Sequence, residues 1–181
     1  MEHIQIRRVL STELEQLQAI SIETFTETFG AANTQENMQK YLQENFGTEK
    51  LANELADPDS EFYFAVLDNS VIGYLKINFG QAQTELKDGR AVEIERIYVV
   101  KKFHGRQAGQ QLCEKAVEAA KAADAQYIWL GVWEENIKAI GFYKNNGFEE
   151  FGKHSFWLGD DEQTDIMMKL MLGEQSVTPN A

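Results

Sequence analysis

The chain has 181 residues, 43% of them hydrophobic and 25% charged, the balance of one ordinary globular domain whose core needs no disulfide or structural metal. Seventeen basic against 29 acidic residues leave a net charge of −12, which repels phosphate backbones and anionic lipids and argues against nucleic acid or membrane as partners. The single cysteine, Cys113, and three scattered histidines make neither a disulfide nor a zinc site, and no run reaches the ~20 apolar residues of a bilayer span, so a cytoplasmic location is expected.

Ile4, Ile6 and Val9 predict a short first strand. Ser11-Thr12 with Glu15 reads as a helix start, followed by the apolar stripe Leu14, Leu17, Ala19 and Ile20. Asn33-Thr34 with Glu36 opens a second helix carrying Met38, Tyr41, Leu42 and Phe46, and Thr48 to Leu55 adds further turns. Two apolar runs, Phe62 to Leu67 and Val71 to Phe79, flank Asp68-Asn69-Ser70 as a β-hairpin. A polar loop, Gln81 to Arg90, leads into a third run, Ala91 to Val100. The pattern then predicts a helix over Gly109 to Ala123, a buried strand over Tyr127 to Trp133 and a helix over Asn136 to Asn145, ended by Asn146-Gly147. Phe148 to Trp157 and Thr164 to Leu170 close the list as a strand pair, and Gly173 to Ala181 is expected to be a flexible tail after a domain spanning 1–172. The order is that of a mixed α/β (α+β) single domain without internal repeats.

Chemistry concentrates between Glu93 and Leu112. A strand ends at Val99-Val100, a basic turn follows through Lys101, Lys102, Phe103, His104, Gly105 and Arg106, and Gln107-Ala108-Gly109 enters a helix. Strand, glycine-bearing turn and helix start gather free backbone N–H groups and a positive helix end at one point, which is an anion cradle.

His104 to Gly109 resembles the pyrophosphate loop of the GNAT acetyltransferase superfamily, in which the turn reads Arg or Gln, x, x, Gly, x, Gly or Ala. The last glycine matches, while His104 stands for the usual Arg or Gln, Gln107 for the first glycine and Lys101 for an earlier proline. With ordinary dihedrals, Gln107 still offers its backbone N–H. Downstream, Asn136, Ala139, Gly141-Phe142-Tyr143 and Asn146-Gly147-Phe148 are similar to the second motif of that family at its separation. The likeness widens through Phe25, Thr28-Phe29, Glu36-Asn37-Met38, Tyr41-Leu42, Gly73-Tyr74, Glu95 to Val99 and Leu158 to Asp165, which resemble the bacterial PaiA-type spermidine/spermine N-acetyltransferase branch. What the resemblance implies is a twisted mixed sheet of six to seven strands, splayed near its middle and flanked by about four helices, with acetyl-CoA as co-substrate in the splay.

Acetyl transfer from a thioester to an amine requires a neutral amine, donors for the developing oxyanion and a proton for the leaving thiolate. A lysine-type ammonium, of pKa ~10.4, must first lose a proton, and Glu95 is the first choice as base or amine-orienting residue. Strand period puts Glu93, Glu95, Ile97 and Val99 on one face and Ile94, Arg96, Tyr98 and Val100 on the other, so both glutamates are expected to face the splay. The resemblance implies that the backbone of Ile97, Tyr98 and Val99 runs along the pantetheine arm and faces the thioester oxygen. It also implies that His104, Gly105, Arg106, Gln107, Ala108, Gly109 and Gln110 hold the pyrophosphate, that Asn136 bonds the arm, that Lys144 approaches the phosphates and that Tyr143 protonates the thiolate. A polyamine is read by spaced carboxylates and aromatic faces, here Glu27, Glu36, Glu93, Asp160 and Asp161 with Phe29 and Tyr41. Cys113 is read as a small buried filler, not a nucleophile. Another amine acceptor (an aminoglycoside, an amino acid, a protein N-terminus or lysine), a CoA-binding regulator without turnover, and a homodimer remain open.

Overall fold

The computed structural model describes residues 2–173; of the expected tail, 174–181 lie outside the described residues. Seven strands form one sheet in the order β1-β2-β3-β4-β5-β7-β6: β1 is Gln5–Arg8, β2 Ser60–Leu67, β3 Ser70–Phe79, β4 Ala91–Val99, β5 Tyr127–Trp133, β6 Glu149–Leu158 and β7 Asp161–Met171. Neighbours are antiparallel except β4 and β5, which run parallel. Five helices flank it: α1 is Leu14–Phe29, α2 Gln35–Phe46, α3 Thr48–Ala56, α4 Ala108–Ala122 and α5 Ile137–Asn145.

Both faces of the sheet are covered, as the near-continuous apolar runs of β2 and β3 require. On one face Leu112, Cys113, Ala116 and Ala120 of α4 and Ile140 of α5 pack against Ala65, Ile72, Ile94 and Ile128. On the other, Leu17 and Ile20 of α1 meet Phe62, Phe64 and Tyr74, while Phe25, Phe29, Met38, Phe46 and Leu51 knit α1, α2 and α3 to Leu158. Each fully buried side chain of this size contributes roughly 1.5–3 kcal/mol.

Local chemistry accounts for the boundaries. The hydroxyl of Thr34 accepts the Asn37 N–H and caps α2. Asp68 and Asn69 take φ +48° and +62°, the conformation a two-residue hairpin turn requires. The first helix departs from expectation: Ser11–Glu13 is a 3-10 turn, and Glu13, not Glu15, closes it by accepting the Leu10 N–H at 2.8 Å while pairing with Arg7.

The most consequential departure lies in β4. Lys76 pairs with Arg96 but Ile77 pairs with Ile94, so Glu95 is an extra residue, a β-bulge that reverses the alternation. Ile94, Ile97 and Val99 face α4, and Tyr98 packs with the α1 cluster. Glu93 and Glu95 therefore do not share a face with Ile97 and Val99; simple strand periodicity fails at the bulge.

Candidate active site

β4 and β5 are bonded only from Ala91 to Ile94 and from Tyr127 to Leu130. Beyond that point β4 continues to Val99 and β5 to Trp133 without pairing, and the gap opens into a cavity of about 710 Å³ lined by Ile94 to Val99 and Leu130 to Trp133. Two dissimilar ends meet there.

One end is backbone. Gly105, Gln107, Ala108, Gly109 and Gln110 line the cavity at the start of α4, whose first amides have no partner within the helix. Gly105 sits at φ +81° and Gln107 at φ +69°, ψ 4°, so Gln107 does not have ordinary dihedrals: it occupies the left-handed region that favours glycine. His104 stitches the loop to the sheet, with Nε2 2.8 Å from the Val99 carbonyl oxygen and Nδ1 3.2 Å from Lys138 Nζ. A ring carrying its proton on Nε2 satisfies both contacts. Asn136 caps α5 by accepting the Ala139 N–H and lines the same wall. Tyr143 lines the cavity from α5, and burial pushes its phenol well above the ordinary value, so it keeps its proton at neutral pH.

Two expected cofactor contacts lie elsewhere. Arg106 pairs with Glu2 and rests over Phe103, and Lys144 pairs with Glu150, neither lining the cavity. At this end of the cavity the lining lysine is Lys138, which sequence reading missed because a lone lysine on a helix carries no signal.

The other end is made of side chains. Phe25, Phe29, Tyr41, Phe46, Trp133 and Phe156 form its walls, with Phe29 5.1 Å from Trp133 and Tyr41 6.0 Å from Phe156 between ring centres. Glu95, Arg96, Lys50 and Asp165 bring charge. Glu95 is bound into a buried ionic cluster: Lys76 contacts both Glu95 and Glu54, and Arg96 lies 2.9 Å from Glu54 and 3.7 Å from Glu95. Burial works to raise the pKa of the Glu95 carboxyl, but Arg96 and Lys76 outweigh it and hold the group below the ordinary value.

The remaining expected acceptor residues do not line the cavity. Glu93 is buried and accepts from Asn78 and Thr84, a structural task. Glu27 accepts the Lys101 N–H, Asp160 pairs with Lys40, Asp161 accepts from Gln163, and Glu36 lies in the first turn of α2. Of the acceptor set, Phe29, Tyr41 and Glu95 are brought together.

A strand splay lined by a helix N-terminus and a buried tyrosine goes with a class: residues 14–148 match the acetyltransferase (GNAT) family, and the chain belongs to it. It is an acetyl-CoA-dependent N-acetyltransferase, and the free α4 amides and open loop suit the anionic end of that co-substrate. Among relatives, it is 44% identical over 172 residues, 95% of this chain and 99% of the other, to an uncharacterised N-acetyltransferase of Lactobacillus delbrueckii subsp. lactis. A spermidine N(1)-acetyltransferase of Thermoplasma acidophilum is 25% identical over 150 residues, covering 81% and 88% of the two chains. The fold matches the PaiA N-acetyltransferase of Thermoplasma acidophilum, solved in complex with coenzyme A, with a TM-score of 0.77 at 22% identity over 94% of this chain and 99% of that one. No helix among the described residues is long and apolar enough to cross a membrane.

Proposed function

We propose that the chain transfers the acetyl group of acetyl-CoA to a primary amine of a small polyamine of the spermidine class. The carrying observation is the aromatic end of the cavity, where Phe29, Tyr41, Trp133 and Phe156 surround a site that also holds Asp165. Aromatic faces and one carboxylate suit an ammonium on a flexible apolar chain. The likeness to a spermidine N(1)-acetyltransferase supports this acceptor, and a net charge of −12 draws polycations toward the protein.

Acetyl-CoA supplies the activated acyl group as a thioester. In this reading the backbone of Gly105 to Gln110 holds the pyrophosphate end, assisted by Lys138, and Asn136 holds the arm. An amide of Ile97, Tyr98 or Val99 faces the thioester oxygen, on the edge of β4 that β5 leaves unpaired. Tyr143 supplies the proton for the sulfur. Glu95, fixed by Lys76 and Arg96, orients the amine.

Lys50 at the same end favours a second reading, an amine whose far end carries a carboxylate, such as an amino acid. A panel of spermidine, spermine, putrescine, an aminoglycoside, free lysine and a lysine-containing peptide, followed by thiol release, separates these. Selective turnover of spermidine or spermine is expected. Turnover of another amine alone discards the polyamine, and silence throughout with intact CoA binding favours a regulator.

A further inference from the structure

Asp165 lies on β7 opposite Trp133 of β5 and lines the acceptor end of the cavity. Behind it, His154 of β6 places Nε2 3.6 Å from Asp165 Oδ2 and Nδ1 2.8 Å from Glu85 Oε1. Exposure rises along the row: 18% for the Asp165 side chain, 23% for His154, 38% for Glu85. The row therefore runs from the cavity to solvent.

Three features hold it in place. Position 131 is glycine, and a Cβ there would lie 2.9 Å from His154 Nε2 and 3.2 Å from Asp165 Oδ2, so a side chain would push the pair apart. The loop bearing Glu85 is pinned on both flanks of the preceding residue pair, by Trp129 Nε1 donating to Gln83 and by the Thr84 N–H donating to Glu93. With Nδ1–H turned to Glu85, a neutral His154 presents the Nε2 lone pair to Asp165, the tautomer a proton acceptor needs.

We propose that Asp165 is the base that takes the proton of the acceptor ammonium, and that His154 and Glu85 pass that proton to solvent. The amine gives up two protons per turnover. One leaves through Asp165, His154 and Glu85; the other balances the proton that Tyr143 gives to the CoA sulfur as the C–N bond forms and the C–S bond breaks. Burial raises the Asp165 carboxyl to about 6, with Glu85 raising it and His154 lowering it, which suits a base working near neutrality. Tyr41 of α2 and Tyr98 of β4 also face it, both protonated at such pH because burial raises them. Glu95 is the weaker base, since Lys76 and Arg96 already neutralise it.

This assignment rests on the cavity being the acceptor site but holds for any primary amine, so a wrong polyamine leaves it intact. The test uses the fastest amine of the panel and the pH dependence of kcat/KM, together with carboxyl NMR titration of Asp165, which needs no turnover. Asp165→Asn is expected to lower kcat/KM about 100-fold with unchanged acetyl-CoA affinity and to abolish an acidic limb near pH 6. Titration of the acceptor ammonium is common to every variant. At the surface, Glu85→Gln is expected to leave the fold intact and move both the limb and the Asp165 titration to lower pH. The assignment is overturned by an acidic limb that persists in Asp165→Asn, by one that disappears instead in Glu95→Gln, or by a limb and titration that ignore Glu85→Gln.

Discussion

The two ends of the cavity are built on opposite principles. At the α4 end the lining is the turn and first residues of α4, Gly105 and Gln107 to Gln110, where the groups on offer are backbone amides that depend on the turn more than on side-chain identity. At the acceptor end the walls are side chains from α1, α2, α3, β4, β5, β6 and β7, so each residue decides what fits. A loop that works through its amides is expected to tolerate a glutamine at position 107, because the backbone N–H is kept whatever the side chain. The acceptor end changes its substrate with one side chain, and there specificity is set.

The largest expected effect breaks the acceptor end through its foundation. Lys76 is 4% exposed and pairs with Glu54 and Glu95, so Lys76→Met leaves two largely buried carboxylates sharing Arg96. Loss of one partner of such a cluster costs about 3–5 kcal/mol, measurable by urea unfolding. Replacing Lys76 and Glu95 together, by Met and Gln, is expected to recover part of that loss, which a purely steric role for Lys76 would not allow.

Next in size is the Tyr143 hydroxyl, proposed to protonate the thiolate. Tyr143→Phe removes only the hydroxyl from a ring that packs on Phe142 and Phe148. The expected result is a fall in kcat of about 100-fold with KM for acetyl-CoA and amine unchanged, read by thiol release.

The same contrast explains what could be read from the chain alone. The element order, the β2–β3 turn, the cradle before α4 and the second motif on α5 were legible because each is local: a turn dipeptide, a cap, an apolar stripe. Glu95 does line the cavity, but it was grouped on one face with Ile97 and Val99 because a bulge is set by how two strands pair, and nothing around Glu95 signals it. Asp165 ends the stretch from Leu158 that resembles the PaiA-type branch, yet the role proposed for it depends on His154, Glu85 and Gly131, residues 11, 80 and 34 positions away in the sequence. The carboxylates chosen for charge alone, Glu27, Glu36, Asp160 and Asp161, proved to be caps, surface pairs or solvated groups outside the cavity.

A smaller effect separates function from stability at Asp165. Its carboxyl is raised to about 6 by burial, so the folded chain binds its proton more tightly than the unfolded chain does. The sign is fixed by linkage: ionisation of Asp165 costs stability as pH rises from about 4, the unfolded value, to about 6, and the full cost is present above that. Asp165→Asn is therefore expected to be more stable than the parent by about 1–2 kcal/mol at pH 7, with the gain fading by about pH 4. Comparing urea midpoints of the two proteins across that range measures it, and the inactive variant being the more stable one would mark a residue kept for chemistry.

The smallest effect tests the backbone end. Gln107 holds φ +69°, a conformation that costs a residue with a Cβ about 1–2 kcal/mol. Glycine relieves that strain but loses roughly 0.5–1 kcal/mol through the greater freedom of the unfolded chain, so Gln107→Gly is expected to stabilise by less than about 1 kcal/mol. Gln107→Ala is the necessary comparison. It removes the side chain and keeps the Cβ, so it is expected to gain nothing if backbone strain is the cause. A gain in CoA affinity with glycine but not alanine would locate the defect of this loop in its dihedral angles, whereas equal gains would locate it in the glutamine side chain crowding the α4 amides. Isothermal titration with CoA decides between the two.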